Sequence, residues 1–182
     1  MAREQGLDIR PDVARRLAEE GHDFAIRTGN LPDRSGMITR RVARQRMIIC
    51  ASPAYLDAHG TPQRIEDLGG HQAILYGRSG RTIPWLFPRE GQPALEIAPA
   101  CRLQLDDMDA MADAAVAGMG LAWLPCWLIR ERVRAGTLVP LLPEQPPFLY
   151  DVHALWLETP HLPLRVRLAV DALVEALPKF ME

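Results

Sequence analysis

Lysine is almost missing from this sequence. Among its 21 basic residues only Lys179 is not an arginine, a skew that reads as high-G+C codon bias rather than as a selected binding surface. Net charge of one sign is missing too. The 23 acidic residues leave a formal charge of −2, without the basic excess that nucleic-acid-binding domains usually carry. Cysteine is scarce: Cys50, Cys101 and Cys126 are odd in number, widely spaced and set among apolar neighbours. That pattern excludes a disulfide framework and leads us to expect buried structural thiols in a reducing cytoplasm. No run of about 18 apolar residues occurs, and the opening Met-Ala-Arg-Glu-Gln-Gly has no apolar h-region. Neither membrane spanning nor export is expected.

What is present is an ordinary folding chain. Its 182 residues, 48% apolar and 24% charged, suit one domain or two small lobes sharing a hinge and exclude disorder. Sixteen prolines against thirteen glycines imply many X-Pro turns between short elements, which fits an α/β chain better than a helical bundle. A helix is expected over Pro11–Gly21 and a strand over His22–Arg27, followed by a polar, arginine-rich segment up to Arg46. An apolar strand at Arg46–Ser52 leads into a helix capped by Ser52-Pro53 and stopped by Gly60. A helical turn at Ile65–Leu68, a strand at Gln72–Tyr76 and a loop at Gly77–Gly80 come next. A hairpin then pairs Trp85–Phe87 with Ala94–Ile97, and Cys101–Leu105 alternates as a half-buried strand does. The clearest helix runs from Asp106 to Val116 with a glycine stop at Gly118. Leu121–Leu124 is a strand ended by Pro125, and a helix covers Trp127–Ala135. An extended run at Leu138–Leu142, a strand at Val152–Leu157 and a helix at Leu164–Leu177 complete the chain. Strands and helices alternate throughout, as in α/β folds.

Chemistry-bearing motifs are few. His22, His59, His71, His153 and His161 share no i,i+4 pair and no C-x-x-C partner, so no zinc spacing exists and neither metal nor cofactor is expected. Ser52 and Ser79 lie in no G-x-S-x-G elbow, and no cysteine has the flanks of a protease nucleophile. The acids Asp106, Asp107 and Asp109 stand at a helix start; Asp106 reads as the cap, while Asp107 and Met108 can face a cleft. Gly118-Met119-Gly120 follows a helix and precedes a strand, the reverse of a dinucleotide fingerprint, and reads as a helix C-cap and tight turn. Gly77-Arg78-Ser79-Gly80-Arg81 has two readings, a backbone and guanidinium cradle for an anion or a solvated loop.

The order of several segments is specific. Asp23-Phe24-Ala25-Ile26-Arg27-Thr28-Gly29, then Cys50-Ala51-Ser52-Pro53-Ala54-Tyr55-Leu56 with His59-Gly60-Thr61-Pro62, then Asp67-Leu68 and His71, resemble the effector-binding domain of LysR-type transcriptional regulators. So do Ala114-Ala115-Val116-Ala117-Gly118-Met119-Gly120-Leu121-Ala122-Trp123-Leu124-Pro125 and Gly136-Thr137-Leu138-Val139. The resemblance implies a periplasmic-binding-protein-like (type II) fold of two α/β lobes with a small effector between them. It also implies a regulator, not an enzyme. Residues 1–46 and 148–182 would form an incomplete first lobe and residues 47–147 a complete second one.

Carried over residue by residue, the resemblance places Arg27, Thr28, Tyr76, Gly77, Arg78, Asp107 and Met108 around the effector, with Leu124 and Pro125 as the floor. Arg27 suits a carboxylate, while Tyr76 and Met108 suit an apolar or aromatic body. A small organic acid is therefore the expected ligand, and a homo-oligomer the expected assembly. Family members also carry a winged helix-turn-helix that nothing here resembles, so contact with DNA is expected only through such a domain absent from this chain. The alternative expectation is a solute-binding module for a small organic anion.

Overall fold

The computed structural model describes residues 17, 19, 21–29, 36–78 and 81–181. The helix expected over Pro11–Gly21 falls almost wholly outside them. The chain divides into two compact units, one comprising residues 1–45 and 149–182 and the other Arg46–Phe148. The division falls inside β2 (Met37–Ala51) and at the start of β10 (Phe148–Leu157).

In the first unit β1 (Ala25–Thr28) pairs antiparallel with β10, which lies next to β2. The arginine-rich segment before Arg46 is thus strand rather than polar connection. Its arginines occupy exposed positions, whereas Val42, Ala43 and Gln45 are buried. Helix α4 (Leu164–Met181) closes one side of this unit. Val166 and Val170 are buried against Val42, Val152, Ala154 and Trp156, and Leu173, Val174, Leu177 and Met181 continue the stripe. That is the spacing a single helix face requires. Two ion pairs tie the unit together at its surface: Arg165 grips Asp23 with bonds of 2.9 and 2.7 Å, and Arg40 reaches Asp171 at 2.6 Å. The guanidinium of Arg165 holds the Asp23 carboxyl below its ordinary range.

The second unit is built on parallel strands. β3 (Gln72–Arg78) lies parallel to both β7 (Ala100–Leu105) and β8 (Leu121–Pro125). β8 pairs antiparallel with β2, whose other edge takes β9 (Val139–Leu141). All five residues of β8 are buried, as expected of a strand covered on both faces. On one face Cys50, Ile74, Ala122 and Leu124 pack against Met111, Ala112 and Ala115 of α2 (Met108–Val116) and Ile129 of α3 (Cys126–Arg134). A two-stranded hairpin, β5 (Trp85–Arg89) with β6 (Gln92–Ile97), stands beside this sheet.

Local chemistry explains the short elements. Ser52 caps α1 (Pro53–His59), its Oγ accepting the Tyr55 amide at 3.3 Å, with Pro53 in the first turn where a missing N–H costs nothing. Asp67 organises the 3-10 turn Ile65–Gly70, its carboxylate accepting the Gln63 and Arg64 amides at 2.9 and 3.0 Å. Those bonds lower its pKa. Gly120 is required by packing, because a Cβ there would stand 2.7 Å from the Gln72 carbonyl oxygen.

The expected burial of the thiols needs correction. Cys50 is fully buried and its pKa is pushed up to about 12 by desolvation, but Cys101 is exposed and Cys126 is intermediate. Cys101 lies on β7, which pairs only with β3 among the described strands, so one edge of its strand faces outward.

Candidate functional site

Parallel strands end together. Tyr76 of β3 stands in register with Leu105, the last residue of β7, and β8 ends on the same edge at Pro125. Ligands of open α/β sheets bind at such carboxyl edges, where loops and helix N-termini converge. The structure therefore brings Tyr76, Gly77, Asp107, Met108 and Pro125 to one end of the second unit.

Their individual roles differ from a uniform lining. Tyr76 and Met108 are half-buried and pack against the core cluster beneath α2, leaving an apolar body at the edge. Asp107, not Asp106, is the helix cap: its Oδ1 accepts the Ala110 amide at 2.8 Å. Asp107 is exposed, so its second oxygen remains open to solvent. Pro125 is buried, pairs with Met47 across the β2–β8 ladder and stands at the N-cap of α3. Gly77 is explained by packing, since a Cβ would meet the Arg81 carbonyl oxygen at 2.5 Å and the Gln104 amide at 2.7 Å.

The segment read as a loop at Gly77–Gly80 is corrected in part. Gly77 and Arg78 belong to β3 and pair with Thr82 and Arg81 of β4 (Arg81–Thr82). Ser79 and Gly80 lie outside the described residues, as does the Arg78 side chain.

Arg27 and Thr28 belong to the first unit, at the carboxyl end of β1. Arg27 is exposed and forms no hydrogen bond or ion pair among the described residues. Thr28 is half-buried and stands opposite Val152, and the chain is held beyond it by the Gly29 amide, which donates to the Asp151 carbonyl at 2.9 Å.

A polar network that motif reading did not resolve ties α1 to β3. Tyr55, buried, accepts the Gln72 amide at 3.0 Å, and its hydroxyl lies 3.2 Å from Nδ1 of His71. The His59 ring stacks on Tyr55 at 4.3 Å. Burial lowers the His71 pKa, and the neighbouring charge of His59 lowers it further while Asp67 opposes both. Because Gln72 begins β3, this cluster stands at the opposite end of the strand from Tyr76 and is a structural tie. No group of three or more His, Cys, Asp or Glu side chains is placed to hold an ion among the described residues.

A two-unit α/β chain with its open residues at strand ends has the architecture of small-molecule-binding regulatory domains. The profile of the LysR substrate binding domain matches residues 7–178, and the chain belongs to that family. Its members are transcription regulators, not enzymes, and this chain corresponds to their effector-binding regulatory domain. It is 33% identical over 163 residues to the HTH-type transcriptional regulator CrgA of Neisseria meningitidis serogroup C, covering 88% of this chain and 53% of CrgA. It is 31% identical to the probable HTH-type transcriptional regulator LtrA of Klebsiella pneumoniae, over 88% of this chain and 52% of that one. The chain thus spans about half the length of the curated relatives it matches. Among solved structures, the CrgA regulatory domain superposes with a TM-score of 0.73 at 29% identity, covering 91% of this chain and 79% of that one. The regulatory domain of AphB from Vibrio vulnificus gives 0.69 at 27% identity, over 89% and 79%.

Proposed function

We propose that this chain senses a small organic acid in the cytoplasm and passes the binding energy to a DNA-binding partner domain. The observation that carries this reading is Arg27: an exposed guanidinium at the end of β1 with no partner among the described residues. A guanidinium fork matches a carboxylate bidentately. Taken by itself, the carboxyl edge of the second unit offers an apolar surface at Tyr76 and Met108 and a free acceptor at Asp107, beside Gly77, Arg78 and Pro125. A ligand that binds one conformational state of the chain more tightly than another shifts the equilibrium between those states by its difference in affinity, and no chemistry is required.

Self-association belongs to the same reading. Leu164 and Leu168, one turn apart on α4, are exposed by 67% and 59%, an apolar pair that a homodimer would cover. A monomeric mass by light scattering at tens of micromolar would contradict that part. For sensing itself, a thermal-shift screen of small carboxylates is run on the wild-type chain and on Arg27→Ala. At least one acid is expected to raise the wild-type Tm and leave the variant unmoved. Equal responses, or silence from both, would remove Arg27 from the site.

A further inference from the structure

Helix α4 carries more apolar surface than its place on the sheet uses. Residues four apart along a helix stand one above another in rows, and three of the rows on α4 have distinct characters. Val166, Val170 and Val174 form the row packed on the sheet. Arg167, Asp171, Glu175 and Lys179 form an exposed row of charge. A surface helix ordinarily gives its whole outer side to residues of that kind. Here the outer side is shared with an apolar row, Leu164, Leu168, Ala172, Ala176 and Phe180, every member of which is exposed. The row extends over about 24 Å of helix.

The profile of this row selects its occupant. Its ends are bulky, with Leu164, Leu168 and Phe180 exposed by 67%, 59% and 55%, and its middle is two alanines. Helices that meet through rows of this spacing cross at about 50° and diverge on either side of the crossing. Small residues therefore belong at the crossing and large ones toward the ends, which is the order found here. A second α4 laid antiparallel, with the two-fold axis at Ala172, sets Leu168 of each copy toward Ala176 of the other and fills the widening ends with Leu164 and Phe180. Large then faces small next to the crossing, as interdigitating layers require. Charge selects no other partner, because the carboxylates beside the row are engaged within the chain: Asp171 by Arg40 at 2.6 Å and Arg167 at 3.9 Å, and Glu175 by Lys179 at 3.8 Å. Two copies meet there without net repulsion.

We propose that α4 pairs with α4 of a second copy of this chain, antiparallel and crossing at Ala172. The assignment rests on the self-association proposed for this chain, not on its sensing of an acid, and gives that association its interface. One helix face is small beside the standard interface of about 800 Å² per partner, so the dimer is weak and forms as concentration rises.

Sedimentation equilibrium of the full chain across the micromolar range tests this, with a thermal melt showing each variant folded. The wild-type chain is expected to pass from monomer to dimer. Leu168→Glu, at an exposed position that leaves the core untouched, raises the dissociation constant by more than about tenfold. Ala172→Leu separates specific packing from mere stickiness: added apolar surface strengthens a nonspecific association, whereas bulk at the crossing weakens this one by about tenfold. Orientation is read with a short bifunctional maleimide on chains that also carry Cys101→Ser and Cys126→Ser. Leu168→Cys chains are expected to couple to Ala176→Cys chains and not to one another. A monomer at every concentration overturns both the self-association and its interface. A dimer that Leu168→Glu leaves intact, that Ala172→Leu fails to weaken, or that couples Leu168→Cys chains to one another overturns the interface alone.

Discussion

Replacing Tyr55 by phenylalanine removes one oxygen from a ring that is only 1% exposed, and leaves its packing and its stack with His59 in place. That oxygen accepts the Gln72 amide at 3.0 Å and lies 3.2 Å from Nδ1 of His71 and 3.4 Å from the Gln72 carbonyl. Without it, the buried His71 ring and the part-buried amide that opens β3 lose a shared partner. Leaving such a group unsatisfied costs about 1–3 kcal/mol. For a chain of this length each kcal/mol moves the melting temperature by about 2–4 °C, so Tyr55→Phe is expected to melt about 2–12 °C below the wild-type chain. The assay is a thermal melt paired with urea denaturation, followed by tryptophan fluorescence, which Trp85, Trp123 and Trp127 of the same unit report. A loss smaller than about 0.3 kcal/mol, well under the value of a single hydrogen bond, would refute the assignment of the hydroxyl as the tie between α1 and β3.

His71 has a folded pKa below its ordinary value, chiefly through burial, so the unfolded chain takes up the proton more readily. The stability it contributes is complete above about pH 6.5 and is lost as the pH falls through the folded value. A urea midpoint that declines between about pH 7 and pH 5 in the wild-type chain, and declines less in His71→Asn, is the expected result. Gly120→Ala drives a methyl to 2.7 Å from the Gln72 carbonyl oxygen and is expected to cost about 1–3 kcal/mol by overpacking, read as a lower urea midpoint. Burial pushes the Cys50 thiol up to about 12, so a disulfide reagent at about pH 8 is expected to modify exposed Cys101 rapidly and Cys50 only on unfolding.

How much of this was legible in the sequence depends on how local the cause is. Ser52-Pro53 and Gly60 bracket α1 through contacts within a few residues, and both ends of that helix are readable from its caps. β8 is readable because both of its faces are buried, which leaves an uninterrupted apolar run before Pro125. The arginine-rich strand from Met37 to Gln45 was hidden for the opposite reason. Its arginines fill exposed positions and its buried residues are few, so the pattern resembles a polar connection until β10 and α4 are set against it. Asp106 and Asp107 are indistinguishable as caps by residue type, and only the backbone turn selects Asp107. Arg27 could be singled out as a charged residue at a strand end.

The central claim is that an organic acid engages Arg27 at the carboxyl end of β1. Amide chemical shifts recorded while an acid that raises the melting temperature is titrated in test it most directly. Concerted, saturable changes are expected at Arg27 and Thr28 and at their ladder partners His153 and Val152. Changes that never reach Arg27, or that spread over the surface without saturating, would contradict it.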